Sequence, residues 1–357
     1  MSTQVLLRRP GEAGARRVFV SDCEGPISKN DNAFELSAHY IPGGDRFFAV
    51  VSRYDDVLAD LVKRPGYKAG DTLRLILPFL KAYGATNEGI REYSSRRILL
   101  VPGARETLRF VRANMPSFIV STSYKPYIRA LCDLTGFPRA NVYCTQLDLD
   151  RYEVGEDERN RLRKLAEEIA AMSVIEIPEA ARSVGDLSEG DRRTVERLDE
   201  VFWGEVPRME SGRMLEEVNP VGGFEKAYAV RDIVERLGGR LEGVMYVGDS
   251  ITDVSPLRLV RENGGLAVSF NGNRYAVREA EVAVLSDHTL ATSILASAFH
   301  RHGREGATWL AGEWGYPAME GYVDPGLVET ARRRWAAGLP RVEVIDDQNR
   351  ERLSRES

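Results

Sequence analysis

The sequence predicts an α/β protein built on a doubly wound, Rossmann-like parallel sheet that is flanked by helices and carries a helical cap domain. Three observations predict it. Short β-rich runs alternate with helical segments, several runs end directly in acidic or hydroxyl side chains, and a long helical stretch separates the first run from the second. Ligands of such sheets bind outside the carboxyl ends of the strands, so the ends of these runs are the informative positions.

Length and composition set the broad class of the protein. The chain has 357 residues, 43% of them hydrophobic, and a net charge of −5, which suits a large core in two domains. Lys and Arg are spread along the chain, so we expect no nucleic-acid partner, and no stretch approaches the roughly 20 apolar residues that would cross a membrane. The start lacks the apolar run of a signal peptide, and the three cysteines have neither disulfide-framework nor metal-ligand spacing. We therefore expect a cytoplasmic protein; the sequence leaves a homo-oligomer open.

The first strand and the segment after it define the start of the core and the cap. The run 17–21 is β-rich and apolar, and we interpret it as a buried strand that delivers Asp22 and Glu24 at its carboxyl end. Gly25 suits the tight turn by which the chain leaves this strand. Helical spacing of apolar residues dominates the segment 31–97, which we interpret as a helical domain between the first and second strands.

Further strands alternate with helices down to the C-terminal part of the chain. They are predicted at 117–120, 141–145, 243–247, 265–270 and 282–285. A charged helical insertion interrupts them, and it either extends the cap or forms an interface. The tail after it is rich in tryptophan, which predicts packing on the body. The predicted domains are a sheet-based core of 15–30, 98–150 and 219–298, a helical domain of 31–97, the insertion 151–218 and a C-terminal extension of 299–357.

Two strand ends carry pairs of carboxylates. Asp22 and Glu24 follow the first strand, and crowding them there is costly unless a cation lies between them. Asp249 and Asp253 follow the strand at 243–247, and hard oxygen ligands of this kind suit Mg²⁺. Either pair alone is also compatible with an ordinary acidic strand exit.

Hydroxyl groups and a lysine complete the set. Ser121 and Thr122 end the second strand, where hydroxyls and backbone N–H groups can hold phosphate oxygens or simply cap the next helix. Lys226 begins a helix and, taken alone, has the pattern of a surface lysine. No Gly-x-Gly-x-x-Gly turn follows the first strand, so a dinucleotide site is not predicted.

In chain order the motifs Asp-x-Glu-Gly, Ser-Thr, Lys and Gly-Asp-x-x-x-Asp resemble those of the haloacid dehalogenase (HAD) superfamily of hydrolases. The resemblance covers the predicted core of 15–30, 98–150 and 219–298, and it implies that this core is catalytic and that the helical domain of 31–97 is a helical cap over the site. It implies that Asp22 is a nucleophile and a metal ligand, that Ser121 with Thr122 binds the phosphoryl group, and that Lys226 steadies nucleophile and phosphate. It further implies that the acidic residues of the last motif bind the metal, as direct or indirect ligands; these are Asp249 and Asp253.

One residue departs from the usual superfamily motif, and two stretches of sequence indicate the branch of the superfamily. Glu24 stands where most phosphatases of the superfamily have a second Asp, which acts as general acid and base and lends its backbone carbonyl to the metal. The strand end Val-Ser-Phe-Asn-Gly-Asn is similar to the phosphoserine-phosphatase-like branch, which implies that Asn271 faces substrate or phosphate. The opening residues 22–32 also resemble an archaeal group labelled energy-converting hydrogenase A subunit R.

The expected function is Mg²⁺-dependent hydrolysis of a small-molecule phosphate monoester through an aspartyl-phosphate intermediate. Two alternatives stay open. One is a phosphotransferase or mutase of the same superfamily. The other is a non-catalytic regulatory or partner protein that kept the fold, an alternative that Glu24 supports because it replaces the usual Asp. The sequence does not identify the ester.

Overall fold

The computed structural model describes residues 16–356, so Ala15 and Ser357, at the predicted ends of the core and the extension, lie outside the described residues. Seven strands form one sheet in the order β3-β2-β1-β4-β5-β6-β7. They are β1 (Val18–Ser21), β2 (Ser117–Tyr124), β3 (Val142–Thr145), β4 (Val244–Gly248), β5 (Leu266–Phe270), β6 (Val282–Leu285) and β7 (Arg341–Val344). All neighbours pair in parallel except β6 and β7. The predicted α/β class and parallel sheet are therefore confirmed.

The degree to which each strand is buried explains why the sequence pattern predicted some strands and not β7. Every residue of β1, β4 and β5 is buried, as expected for central strands that are covered on both faces, and such strands are continuous apolar runs. β7 was not predicted. Its four residues alternate charged and apolar, and it forms the antiparallel edge strand beside β6, where only Val342 is buried.

Helices cover both faces of the sheet. They are α5 (Ala104–Asn114), α6 (Lys125–Thr135), α10 (Phe224–Arg236), α11 (Val254–Glu262), α12 (Arg274–Glu279) and α13 (Leu290–Gly312). α5, α6 and α13 pack in one apolar cluster with Phe19 and Met245 of the sheet. α10, α11 and α12 pack in another cluster with Val18 and Tyr246. Alternate residues of β1 and β4 thus face opposite helical layers.

The two predicted helical segments form a single helical unit. Its helices are α1 (Asn32–Tyr40), α2 (Gly44–Asp56), α3 (Thr72–Ala82), α4 (Asn87–Arg97), α7 (Glu156–Ala171), α8 (Glu189–Asp199) and α9 (Arg213–Glu217). Their buried side chains share one apolar cluster. Within it the rings of Phe79 and Phe202, one from each segment, lie 5.9 Å apart in an edge-to-face contact. The insertion thus packs with the first helical segment. That the unit acts as a cap stays a prediction.

The C-terminal part packs on the sheet and adds β7 to its edge beside β6. It comprises the end of α13, α14 (Tyr316–Met319), α15 (Pro325–Arg334), β7 and α16 (Arg350–Glu356). Trp335 is buried in the apolar cluster of α13, and the Trp314 indole donates to the Pro340 carbonyl at 2.9 Å. None of the helices among residues 16–356 has the length and apolarity that crossing a membrane would require.

Candidate active site

The strand order brings the predicted site segments to one edge of the sheet. β1 lies between β2 and β4, and the carboxyl ends of these parallel strands meet there. Asp22 follows β1 directly, and its N–H donates to the Val247 carbonyl at 2.8 Å, which continues the pairing with β4. β2 runs further than predicted, because a register irregularity lets it continue from Ser121 to Tyr124. The residues of the first, second and fourth motifs are therefore neighbours.

Asp22 and Lys226 form a buried ion pair. One carboxylate oxygen of Asp22 accepts from the Cys23 N–H at 2.6 Å, and the other accepts from Lys226 Nζ at 2.6 Å. Lys226, in the first turn of α10, has no exposed surface and also donates to Asp253 Oδ1 at 2.8 Å. A buried ammonium is costly unless it is paired, so these two carboxylates explain why a lysine occupies this position.

Asp253 is held by protein donors on both oxygens. Oδ1 accepts from Lys226 and from the Tyr246 hydroxyl at 2.7 Å, while Oδ2 accepts from the N–H groups of Asp249 and Ser250, each at 3.1 Å. Its carboxylate thereby fixes both Lys226 and the turn after β4. Sequence reasoning missed Tyr246, because a tyrosine inside an apolar strand gives no signal of a polar role.

Asp249 is the uncompensated carboxylate of the site. Among the described residues no hydrogen-bond donor reaches its side chain. Oxygens of Asp22, Asp249 and Asp253 all lie within 4.8 Å of one another. Gly25, at φ +85°, makes room for this group, since a Cβ there would lie 2.1 Å from Asp249 Oδ2. The turn predicted at Gly25 therefore also serves close packing against a carboxylate.

Burial and like charges raise the proton affinity of this cluster. Burial, with the charge of Asp253 adding to it, raises the pKa of Asp22 to about 7 and raises that of Asp249 well above its usual range. Burial alone would lower the pKa of Lys226, but the charges of Asp22 and Asp253 outweigh it and the pKa is raised. When Asp22, Asp249 and Asp253 are all ionised, Lys226 offsets one of their three negative charges, so two remain uncompensated. Hard oxygen donors with that charge deficit fit one Mg²⁺ ion.

The hydroxyls at the end of β2 are buried beside this cluster. Ser121 is 1% exposed, and its hydroxyl accepts from the Ser123 N–H at 3.1 Å. Thr122 Oγ1 is buried and has no hydrogen-bonding partner within residues 16–356. Because an unpaired buried hydroxyl is costly, its position favours a ligand that supplies the missing partner.

Asn271 lies at the end of β5, in a left-handed conformation with φ +46°. Its amide nitrogen donates to the Ser286 carbonyl at 2.7 Å, and its oxygen accepts from the Ser286 N–H at 2.9 Å. Both amide atoms therefore join the ends of β5 and β6. Contact of Asn271 with substrate or phosphate stays a prediction.

Glu24 connects the site to the helical unit. Its side chain is partly buried, and Oε1 accepts from the N–H of Asn32, the first residue of α1, at 2.8 Å. Burial, with the charge of Asp31 adding to it, raises the pKa of Glu24 to about 8. At neutral pH this carboxyl therefore carries a proton that it can donate.

A loop of the helical unit, residues 67–71, lies over the same edge of the sheet. A Cβ at Gly70 would lie 3.2 Å from the methyl groups of both Thr122 and Thr252. Lys68 Nζ donates to Asn219 Oδ1 at 2.6 Å and pairs with Glu225 at 3.2 Å, one residue before the buried lysine. This roof loop has no sequence motif, and only the three-dimensional contacts reveal it.

Comparisons with solved structures give likenesses that extend over most of the chain. No protein-family model matches the sequence, and no curated protein matches it. The structure of gene product AF1437 from Archaeoglobus fulgidus matches with a TM-score of 0.71 and 29% sequence identity, over 90% of this chain and 96% of that one. A structure of phosphoserine phosphatase in apo form has a TM-score of 0.44 and 14% identity, over 76% of this chain and 95% of that one. The second likeness is too distant to support an argument.

Proposed function

We propose that the chain is a Mg²⁺-dependent phosphatase of the HAD type that hydrolyses a small-molecule phosphate monoester. The observation that carries the proposal is the convergence of Asp22, Lys226 and Asp249 at the edge of the sheet where β2, which carries the unpaired hydroxyl of Thr122, also ends. This combines an acidic nucleophile, a fixed cation, a metal-binding carboxylate and a group suited to a phosphate oxygen. The order of motifs that resembles the superfamily supports the same reaction.

The proposed reaction has two steps. Asp22 attacks phosphorus in line, the phosphorus–ester oxygen bond breaks, and Glu24 gives its proton to the departing oxygen. Glu24 then takes a proton from the water that cleaves the aspartyl-phosphate, and inorganic phosphate leaves. Lys226 offsets charge on the phosphoryl oxygens, which Ser121 and Thr122 orient.

The metal site divides into direct and indirect ligands. Bound Mg²⁺ would neutralise charge on the phosphate and help to align it with the nucleophile. Asp22, Asp249 and the Glu24 carbonyl would hold it directly. Asp253 would act indirectly, because Lys226, the Tyr246 hydroxyl and two N–H groups already use its oxygens.

The helical unit would act as a cap in this reaction. Its roof loop contacts the segments that carry Thr122, Thr252 and Glu225, and Asn32 at its first helix contacts Glu24. A cover of this kind excludes water from the acyl-phosphate and leaves room for a small substrate only.

Neither comparison supports the likeness to energy-converting hydrogenase A subunit R, and that likeness stays a prediction.

A screen of phosphate esters with Mg²⁺, run beside Asp22→Asn, tests the function. We expect the parent to release inorganic phosphate and the variant to remain folded but lose turnover by at least about a thousandfold. Asp133→Asn is the matched control, since Asp133 is exposed and its ion pair is with Arg139, far from the proposed metal ligands in the chain, and it should keep parent activity. Turnover of Asp22→Asn near the parent level would exclude Asp22 as nucleophile. A phosphorylated acceptor in place of free phosphate would indicate the phosphotransferase.

A further inference from the structure

Two buried polar side chains beside Glu24 have atoms without partners. Asn32 is 1% exposed and Ser123 is 2% exposed. Asn32 Oδ1 and Ser123 Oγ make no hydrogen bond within the described part of the chain, and the Asn32 amide nitrogen has only a long contact of 3.5 Å to the Ser94 hydroxyl. Polar atoms buried to this degree are nearly always paired in folded proteins. The two open positions therefore need a ligand or water.

Both side chains lie next to the carboxyl that we propose as proton donor. The backbone N–H of Asn32 binds Glu24 Oε1 at 2.8 Å. The Ser123 hydroxyl lies close enough to lower the pKa of Glu24, against the larger raising effects of burial and of the Asp31 charge, without forming a hydrogen bond of full geometry. The Ser123 N–H donates to the Ser121 hydroxyl oxygen at 3.1 Å, so Ser123 also lies next to the hydroxyl that we propose to bind the phosphoryl group.

Other buried polar side chains nearby have hydrogen-bond partners within the protein. On α1 the Ser37 hydroxyl donates to the Ala33 carbonyl at 2.9 Å. Asn30 is bonded at both ends of its amide, to Glu35 at 2.7 Å and to the Leu99 N–H at 2.8 Å. The unpaired atoms of Asn32 and Ser123 are therefore not a general feature of the buried polar groups around α1.

We infer that Asn32 and Ser123 bind the alcohol part of the substrate, and that this alcohol carries a hydrogen-bond donor close to the ester oxygen. The inference rests on the proposed function, in which Glu24 meets the departing oxygen. The free atom of Asn32 is an acceptor, so it selects a hydroxyl or an amino group, and the Ser123 hydroxyl can donate to or accept from the same group. The substrate class is therefore a phosphate monoester of a small diol or amino alcohol.

Matched esters test this inference. The probes are 2-hydroxyethyl phosphate and 2-aminoethyl phosphate, each compared with ethyl phosphate, which has the same phosphate and lacks the second polar group. With Mg²⁺ we expect the parent to favour at least one polar ester by about tenfold in kcat/KM, the size of effect that a satisfied buried group gives. Comparison of the hydroxyl and amino esters decides between the two donors.

Variants then assign the preference to the two side chains. Asn32→Ala and Ser123→Ala should each bring the ratio of polar to ethyl ester close to one, a readout in which any common effect of the variant on Glu24 cancels. The backbone N–H that binds Glu24 survives in Asn32→Ala. The matched controls are Ser37→Ala and Asn141→Ala, because Ser37 is satisfied within α1 and Asn141 donates to Ser117 at the opposite end of β2. Both should keep the parent ratio.

The outcomes separate this inference from the proposed function. A parent without preference, or variants that keep the parent preference, would overturn the inference alone, and the open atoms would then bind water only. If Asn32→Ala does not fold, as judged by circular dichroism and thermal unfolding, Ser123→Ala decides by the same ratio. Absence of phosphate release from every ester, including those of the Asp22 screen, would overturn the proposed function and this inference with it.

Discussion

Gly25 and Asp249 belong to different strand ends, yet their positions depend on each other. Gly25 has φ +85°, a conformation that side chains disfavour, and the Asp249 carboxyl fills the space that a Cβ would take. A larger residue would therefore both strain the turn and displace a proposed metal ligand. The two effects can be separated by comparison with another glycine.

Gly25→Ala should lower turnover strongly while it destabilises the fold only moderately. The control is Gly136→Ala, since Gly136 has φ +70° at the end of α6 but open space around it. Each variant should lower the free energy of unfolding by about 1–2 kcal/mol, the cost of a left-handed alanine. Only Gly25→Ala should lower turnover, by roughly a hundredfold, because it displaces Asp249. Urea unfolding and phosphate release measure the two quantities. Equal activity of both variants would contradict the role given to Asp249.

Strand ends are the part of the site that a sequence pattern can locate. Asp22 and Asp249 directly follow apolar runs, and the rule that ligands bind at carboxyl ends of parallel strands makes them candidates. Lys226 needed the family resemblance, because a helical lysine has the pattern of a surface residue. Asn32 and Ser123 could not be separated from ordinary polar residues, since their unpaired state depends on neighbours that are distant in the chain.

At the level of elements, one buried carboxylate shapes the roof loop. Asp55, near the end of α2, is 5% exposed. It accepts from the N–H groups of Thr72 at 3.0 Å and Gly70 at 3.1 Å, and from the Tyr67 hydroxyl at 2.5 Å. The loop and the start of α3 therefore take their conformation from a residue that does not itself contact the strand ends.

Asp55→Ala should loosen this loop and weaken substrate binding. The buried N–H of Thr72 and the partly buried N–H of Gly70 would lose their acceptor, and we expect the free energy of unfolding to fall by about 2–4 kcal/mol. KM should rise more than kcat falls, because the loop contacts the Thr122 segment and none of the reacting groups. Asp45→Ala on the same helix is the control, since Asp45 is exposed, and it should change stability by less than about 0.5 kcal/mol. Chemical denaturation and steady-state kinetics measure both. A similar result for the two variants would show that the loop is held by other contacts.

The elements themselves differ in how far the sequence predicts them. β1, β4 and β5 are apolar throughout because both faces are covered, and such runs stand out from the helices around them. β7 was missed because Arg341 and Glu343 alternate with its valines, and its strand conformation depends on the open edge of β6. The segments 31–97 and 151–218 pack in one helical unit through tertiary contacts, and a pattern within either segment does not predict these contacts.

For the molecule as a whole, the acidic cluster couples stability to pH and to Mg²⁺. The pKa of Asp22, about 7, is raised above its ordinary value, so the folded state binds this proton more tightly than the unfolded state does. Its contribution to stability is complete below the ordinary pKa and is lost as the pH rises through about 7. Ionisation then leaves the cluster with uncompensated negative charge that a divalent cation can neutralise.

Thermal unfolding should therefore respond to Mg²⁺ in a pH-dependent way. With a chelator present, we expect Tm to fall between about pH 5 and about pH 8, and added Mg²⁺ should raise Tm by several degrees at the higher pH and by much less at the lower one. Asp249→Asn should diminish the Mg²⁺ effect. An equal Mg²⁺ effect at both pH values, or none, would contradict a cation site at this cluster. Scanning calorimetry with and without Mg²⁺ provides the measurement.

The central place of β1 in the sheet has a consequence for biosynthesis. β1 is made first, but one of its edges must wait for β4, where Val18 pairs with Val244. At ordinary translation speeds the delay is about 10–45 s. During this time a nascent chain carries an apolar strand with one open edge, and an arrangement of such distant partners folds slowly. Ribosome-bound chains that end before Val244 should therefore engage chaperones, and the reaction centre can form only after β4 and the turn to Asp253 have been made.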